Sequence, residues 1–309
     1  MKKTYPFSAL VGQEEMKKAL LLNIVMPSLG GVLIKGEKGT AKSTAVRAAA
    51  GLLPAMRAGA GCACRCDPAA PEFFCDDCRR KAAAGARMKE ESVPMRVVEL
   101  PVSATEDRVV GTLDIESAIR HGRKEFEAGI LAEANRSILY VDEINLLDDH
   151  IVDILLDSAA MGVNTVEREG ISYAHPARFV LVGTMNPEEG DIRPQLLDRF
   201  ALSVTVTGER EAKDRIEVVK RRIAYEQDAE DFAASYEGRQ EALREKIERA
   251  RALLKSVAVA DGMLEKAAHI SLALGVDGHR ADITLIKAAM ANAAFSGRTE
   301  VEKEDMKAV

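Results

Sequence analysis

The chain has no tryptophan, and aromatic residues make up only 4% of its 309 positions. Little is left from which to build the aromatic platforms on which unpaired bases stack. An excess of basic charge is missing too. Lys and Arg number 43 against 49 Asp and Glu, the net charge is −6 and the pI is about 5.6. That balance weighs against a broad nucleic-acid or anionic-membrane surface. The longest apolar runs, such as ALLLNIVM, are far too short to span a bilayer. The N-terminal MKKTYPFSALVGQ lacks the apolar core of a secretory signal. Cysteine is scarce, and all five residues fall between Cys62 and Cys78. A disulfide framework through the chain is thereby excluded, and the cytoplasm is the expected compartment. The length suits about two domains, each able to bury its own core.

Against those absences stands one stretch, GEKGTAKST, running from Gly36 to Thr44. It follows the apolar run GGVLIK and precedes AVRAAAGLL, which has helical periodicity. Strand, glycine-bearing turn and a helix opening on Lys-Ser make a phosphate-binding loop. The N–H groups of such a helix start converge on one spot, where the aligned dipoles favour an anion. Gly36, Glu37, Lys38, Gly39, Thr40, Ala41, Lys42, Ser43 and Thr44 are the candidate nucleotide contacts. Lys42 reaches the β- and γ-phosphates, and the Ser43 hydroxyl ligates Mg²⁺. The usual pattern has Gly before the lysine. Here Ala41 stands there, and it fits where the backbone stays helical.

Further along, apolar positions at helical spacing predict a helix over 8–26, and short strands follow at 31–35, 95–101 and 138–141. A helix is expected at 42–53, short ones at 114–120 and 128–135, and another at 150–161. VNTVEREGISYAHPA (163–177) alternates around Glu-Gly and predicts a β-hairpin, and RFVLVGTMN (178–186) a further strand. Residues 193–200 form a helical turn before the strand ALSVTVT. Residues 55–92, rich in Ala, Gly, Cys, Arg and Lys, show no sustained strand pattern and read as an insertion. Beyond 208 the chain is almost wholly helical, with Glu245 and Arg249 one turn apart on a solvated face and final helices at 261–274 and 280–295. The fold class is therefore α/β, a parallel sheet with flanking helices (1–208) followed by a helical lid (209–309). In such sheets ligands sit at the carboxyl ends of the strands.

Those ends carry polar residues. Asp142 and Glu143 follow the strand ILYV. Asp142 suits the Mg²⁺ shell, and Glu143 suits orienting and deprotonating an attacking water. Asn186 ends FVLVGTM, where it either hydrogen-bonds the water or γ-phosphate or merely shapes the turn before Pro187. Arg193 and Arg199, in IRPQLLDRF, are either salt-bridged surface residues or an arginine finger reaching the γ-phosphate of a neighbouring subunit. Arg280 opens a lid helix and either touches the phosphates or caps its own domain.

The cysteines form two groups, Cys62, Cys64 and Cys66, then Cys75 and Cys78. Cys75-x-x-Cys78 is a chelating pair on a tight turn. Cys62 with Cys66, or Cys64 with Cys66, supplies the other two thiolates for tetrahedral Zn²⁺ or an iron–sulfur cluster. The plainer alternative is a set of reduced thiols in a loop.

These segments, in this order, resemble the AAA+ ATPases and, within them, the small ATPase subunit (the I subunit) of magnesium chelatase. PFSALVGQEEMKKALLLNIV, ILYVDEINLLDDHIVDILLD and, most specifically, TMNPEEGDIRPQLLDRF carry the resemblance, which spans nearly the whole chain. It implies a Walker A motif from Gly36 to Ser43, Walker B at Asp142 and Glu143, sensor 1 at Asn186 and sensor 2 at Arg280. It also implies an arginine finger at Arg199, with Arg193 as second candidate. LDIESAI (113–119) and the hairpin 163–177 resemble insertions that act on partner subunits in that family. The resemblance further implies an ATP- and Mg²⁺-dependent homo-oligomeric ring, commonly a hexamer. Such a ring works with a D-type AAA+ subunit and a large tetrapyrrole-binding subunit to insert Mg²⁺ or Co²⁺ into a tetrapyrrole. The cysteine-bearing insertion departs from the photosynthetic I subunits and resembles a chelatase-like branch, where a redox or iron sensor gating the ATPase is a further expectation. The alternative function is an AAA+ motor that remodels or translocates nucleic acid or another protein, against which the acidic pI and few aromatics weigh.

Overall fold

In the computed structural model, which describes residues 4–114, 125–168, 171–276 and 278–309, GVLIKG forms a strand, Gly31–Gly36, buried except for a half-buried Lys35. A strand apolar on both faces has no solvent side, as parallel sheets require. It pairs in parallel with Phe200–Val206, Ile34 lying beside Val204. Both strands belong to one compact unit, Met1–Leu52 with Phe200–Val309. The helix expected over 8–26 is shorter, Glu14–Val25, after a separate 3-10 turn at Phe7–Ala9. Gly12 and Gln13 both lie in the left-handed region, which turns the chain and stops the helix from extending backward.

The rest of this unit is helical: Ala212–Gln227, Ala229–Leu253, Asp261–Ala273, Arg280–Phe295 and Lys303–Lys307. The first two helices are separated by Asp228, whose carboxylate accepts the N–H groups of Glu230 and Asp231, both at 2.9 Å. Glu245 and Arg249 pair at 3.4 Å on an exposed face, as their spacing predicts. No helix among the described residues is long and apolar enough to cross a membrane.

The second unit is Leu53–Arg199. Its centre is the strand Ile138–Val141, buried at every position, with Val97–Leu100 parallel on one side and Val180–Met185 on the other. Val141 sits level with both Leu100 and Gly183. Asp148 caps the helix Asp149–Met161, accepting the His150 N–H at 3.0 Å, and left-handed Gly162 ends it. The expected hairpin follows, Val163–Arg168 paired with Ile171–Pro176. The helix expected at 114–120 falls, from 115 onward, outside the described residues; the flanking Gly111–Asp114 and Glu125–Ala128 pair antiparallel.

The insertion is more ordered than its composition suggests. Ala55–Gly59 pairs antiparallel with Glu90–Pro94, so the segment is a stem that closes on a cysteine-bearing head. The strand pattern over 55–92 was hidden because its inward positions are only Met56 and Ala58, while the outer ones are charged or small. The head holds one helix, Asp76–Ala83.

Candidate active site and cysteine centre

The phosphate loop lies in the first unit. Gly36 ends its strand so close to the neighbouring one that a Cβ there would stand 2.3 Å from the Val206 carbonyl oxygen. The loop then turns into the helix Lys42–Ala49. Lys42 is buried, and its Nζ donates to the carbonyls of Gly36 at 2.5 Å and Glu37 at 2.8 Å. The ammonium is thus folded back across the mouth of the loop. Thr40 Oγ1 donates to the Glu37 carbonyl at 2.8 Å and closes the turn. Ala41 does not continue the helix backward. It sits at φ 60 and ψ 18, in the left-handed region where glycine is at ease, so the expected helical fit of this alanine is corrected to a strained cap.

The acidic pair lies in the second unit, at the carboxyl end of Ile138–Val141. Because Gly183 is level with Val141, Thr184 comes opposite Asp142. The Thr184 hydroxyl is fully buried. It donates to Asp142 Oδ1 at 2.5 Å and accepts the Glu143 N–H at 3.1 Å. Glu143 is left-handed, φ 52, so the chain turns sharply where the strand ends. Thr184 was not picked out by sequence reasoning. The signal was present in GTMN, a hydroxyl two residues before the candidate sensor. A cavity of about 270 Å³ opens beside this pair, lined by Glu99, Val102, Ser103, Tyr140, Asp142 and Glu143.

Asn186 is buried, and its Oδ1 accepts the Glu188 N–H at 3.3 Å, which is the turn role open to it in the sequence. The two candidate finger residues differ. Arg193 pairs with Asp149 and, at 3.6 Å, with Asp153, both on the helix Asp149–Met161. Arg199 is half-buried and forms no ion pair among the described residues. Arg280 is exposed in the first turn of its lid helix.

The cysteine head brings Cys62, Cys66, Cys75 and Cys78 together, their sulfur atoms all within 4.8 Å of one another. Of the two pairings the spacing left open, this is the set with Cys62; Cys64 stands outside it, buried, with its carbonyl accepting Asn135 Nδ2 at 2.7 Å. Hydrogen bonds from neighbouring thiols, Cys64 foremost, hold Cys62 down to about 3, and Cys75 is lowered in the same way, Cys62 foremost. Hydrogen bonding to Cys62 raises Cys66 and Cys78. Four sulfurs thus share one small volume.

A glycine-bearing loop opening a helix, and an acidic pair at a strand end, on parallel strands followed by a helical segment, define an ATPase of the AAA+ class. Residues 84–200 match the AAA domain of the dynein-related subfamily, and 264–309 match an AAA lid domain. The chain belongs to the family of magnesium-chelatase ChlI subunits. It is 55% identical over 307 residues to the magnesium-chelatase subunit ChlI homolog of Methanocaldococcus jannaschii, covering 99% of this chain and 83% of that protein. It is 54% identical over 305 residues to the magnesium-chelatase 38 kDa subunit of Acidiphilium rubrum, covering 99% and 88%. Among solved structures it is similar to a chain of the complex between subunits BchI and BchD of magnesium chelatase, with 48% identity, a TM-score of 0.59, and coverage of 98% and 92%. The chain is accordingly an ATP-hydrolysing AAA+ subunit of a chelatase.

Proposed function

We propose that this chain is the motor of a metal chelatase, turning over ATP to drive insertion of Mg²⁺ or Co²⁺ into a tetrapyrrole. Residues 1–208 form the nucleotide-binding domain and 209–309 the lid. Gly36 to Thr44 cradle the phosphates, with Lys42 on the β- and γ-oxygens. Ser43 and Asp142 hold Mg²⁺, which supplies charge neutralisation as the γ-phosphoryl leaves. Glu143 takes the proton of the attacking water, Asn186 donates to that water or to the γ-phosphate, and Arg280 contacts the phosphates from the lid. Arg199 reaches the nucleotide of the next protomer. Among the described residues Arg199 forms no ion pair, whereas Arg193 pairs with both Asp149 and Asp153, and this supports that order of preference. The protomers form a ring, a hexamer by analogy with the class. The ring acts in the cytoplasm with a D-type AAA+ subunit, as in the BchI–BchD complex, and a large tetrapyrrole-binding subunit. The cysteine head holds Zn²⁺ or an iron–sulfur cluster.

The observation that carries this reading is the Thr184 hydroxyl, which fixes Asp142 and the Glu143 backbone at once and so separates a cation-binding carboxylate from a proton-accepting one. Glu143→Gln is expected to keep ATP affinity within about twofold while turnover falls by about 10²-fold or more, the scale of a lost general base. Nucleotide binding by calorimetry and phosphate release by a coupled assay check it. Turnover at the unmodified rate removes Glu143 from the role, and stimulation by DNA but not by a D-type subunit overturns the chelatase reading.

A further inference from the structure

We propose that Cys62, Cys66, Cys75 and Cys78 bind a single mononuclear zinc ion, and that this ion braces the hairpin 163–176 by fixing the first turn of the helix Asp76–Ala83. The proposal deepens the reading of the cysteine head given above and is independent of ATP turnover.

Size comes first. Zn–S bonds of about 2.3 Å place tetrahedral sulfurs about 3.8 Å apart. Cys62 Sγ lies 3.9 Å from Cys75 Sγ and 3.4 Å from Cys78 Sγ. An iron–sulfur cluster carries its own sulfides between the thiolates and needs a wider cage. One further contact suits a thiolate ligand: the Cys75 N–H donates to Cys66 Sγ at 3.1 Å, as outer-sphere donors to metal-bound sulfur do. Cys62, the one half-exposed member, leaves a route from solvent.

The head also has too little apolar core to hold itself. Between residues 53 and 95 the buried apolar side chains besides the cysteines are Met56, Ala58 and Phe74. A segment this poor in buried apolar surface needs a covalent or metal staple to order it. Structural zinc supplies folding free energy directly.

The brace follows from where the ligands sit. Cys75 is the cap of the helix and Cys78 lies one turn in, so the metal grips both sides of that first turn. From the same turn, Asp76 Oδ2 accepts the Ala174 N–H at 2.9 Å and Asp77 Oδ2 accepts the Tyr173 hydroxyl at 3.0 Å. Tyr173 is fully buried and stacks on Phe126 with ring centres 4.2 Å apart. The hairpin is therefore held on one side by two carboxylates whose positions the zinc ligands set.

The test uses the full chain. Plasma mass spectrometry of protein grown with both zinc and iron is expected to find one zinc per chain. Cys75→Ser with Cys78→Ser loses it, and Cys64→Ser keeps it. Iron with acid-labile sulfide, or no bound metal, overturns the zinc site. Amide hydrogen exchange then reads the brace. Removing zinc with a chelator, and separately Asp76→Asn with Asp77→Asn in zinc-loaded protein, are each expected to speed exchange of 163–168 and 171–176 by about tenfold, the scale of lost charge-assisted hydrogen bonds. Exchange of 138–141 stays unchanged in the double Asn variant. Unchanged hairpin exchange in that variant, with zinc still bound, overturns the brace even if the site stands.

Discussion

The Thr184 hydroxyl stands between two groups of opposite hydrogen-bonding sense, the Asp142 carboxylate and the Glu143 N–H. Thr184→Val keeps the shape and removes both bonds. Turnover is expected to fall by about 10- to 100-fold with little change in KM for ATP, because a catalytic carboxylate is misplaced rather than deleted. Thr184→Ser restores most of it, and steady-state kinetics separate the two outcomes. Gly36 gives a second residue-scale expectation. Any side chain there meets the Val206 carbonyl, so Gly36→Ala forces the strands apart, destabilising by about 1–3 kcal/mol in denaturant titration and weakening nucleotide binding. Lys42 was legible in the sequence through its loop motif, and Asp142 and Glu143 only through their place downstream of that loop, since an apolar strand ending in acidic residues is common. Thr184 was not, since a threonine near the end of a strand is ordinary until the register puts it opposite Asp142. Nor was the left-handed Ala41, because side-chain identity does not report φ.

At the scale of elements, the last helices are tied by Asp305. This fully buried carboxylate accepts from Asn292 Nδ2 at 2.6 Å, from Arg298 Nη1 at 2.8 Å and Nη2 at 2.5 Å, and from the Glu302 N–H at 2.9 Å. Burial raises its pKa, but the bonds from Arg298, Glu302 and Asn292 outweigh burial and hold it below the usual carboxylate range. The folded form thus binds its proton less readily than the unfolded chain. The resulting stability is present above the unfolded value of about 3.9 and is lost as pH falls through the lower folded one. Asp305→Asn is expected to destabilise by about 2 kcal/mol at pH 7, with the difference shrinking below about pH 4. Urea midpoints at both pH values check it. Elements with continuous apolar runs, 31–36 and 180–185, were readable from pattern alone. The stem of the cysteine head was not, because a strand with two inward apolar residues leaves too short an alternation to see.

At the scale of the assembly, Arg193, which is ion-paired, and Arg199, which forms no ion pair among the described residues, make different predictions. Arg199→Ala is expected to bind ATP normally and hydrolyse it about 10³-fold more slowly, as for a missing arginine finger. Mixing it with Glu143→Gln subunits then regains activity, since some seams combine an intact base with an intact guanidinium. Phosphate release against mixing ratio reads this, and a flat line assigns Arg199 a role within its own protomer. Parallel class and helical lid were legible from the order of strands and helices, whereas the proposed ring rests on a motif resemblance, because one protomer's fold pattern does not report what lies across a subunit seam. The level placement of Gly183 and Val141 reaches beyond this molecule. Adding or deleting a single residue within 138–141 or 180–185 would swing every following side chain to the opposite side of its ribbon and carry the threonine away from the aspartate. Sister genes are therefore expected to vary in length at the cysteine head and the hairpin tip, while these two short stretches drift only by substitution.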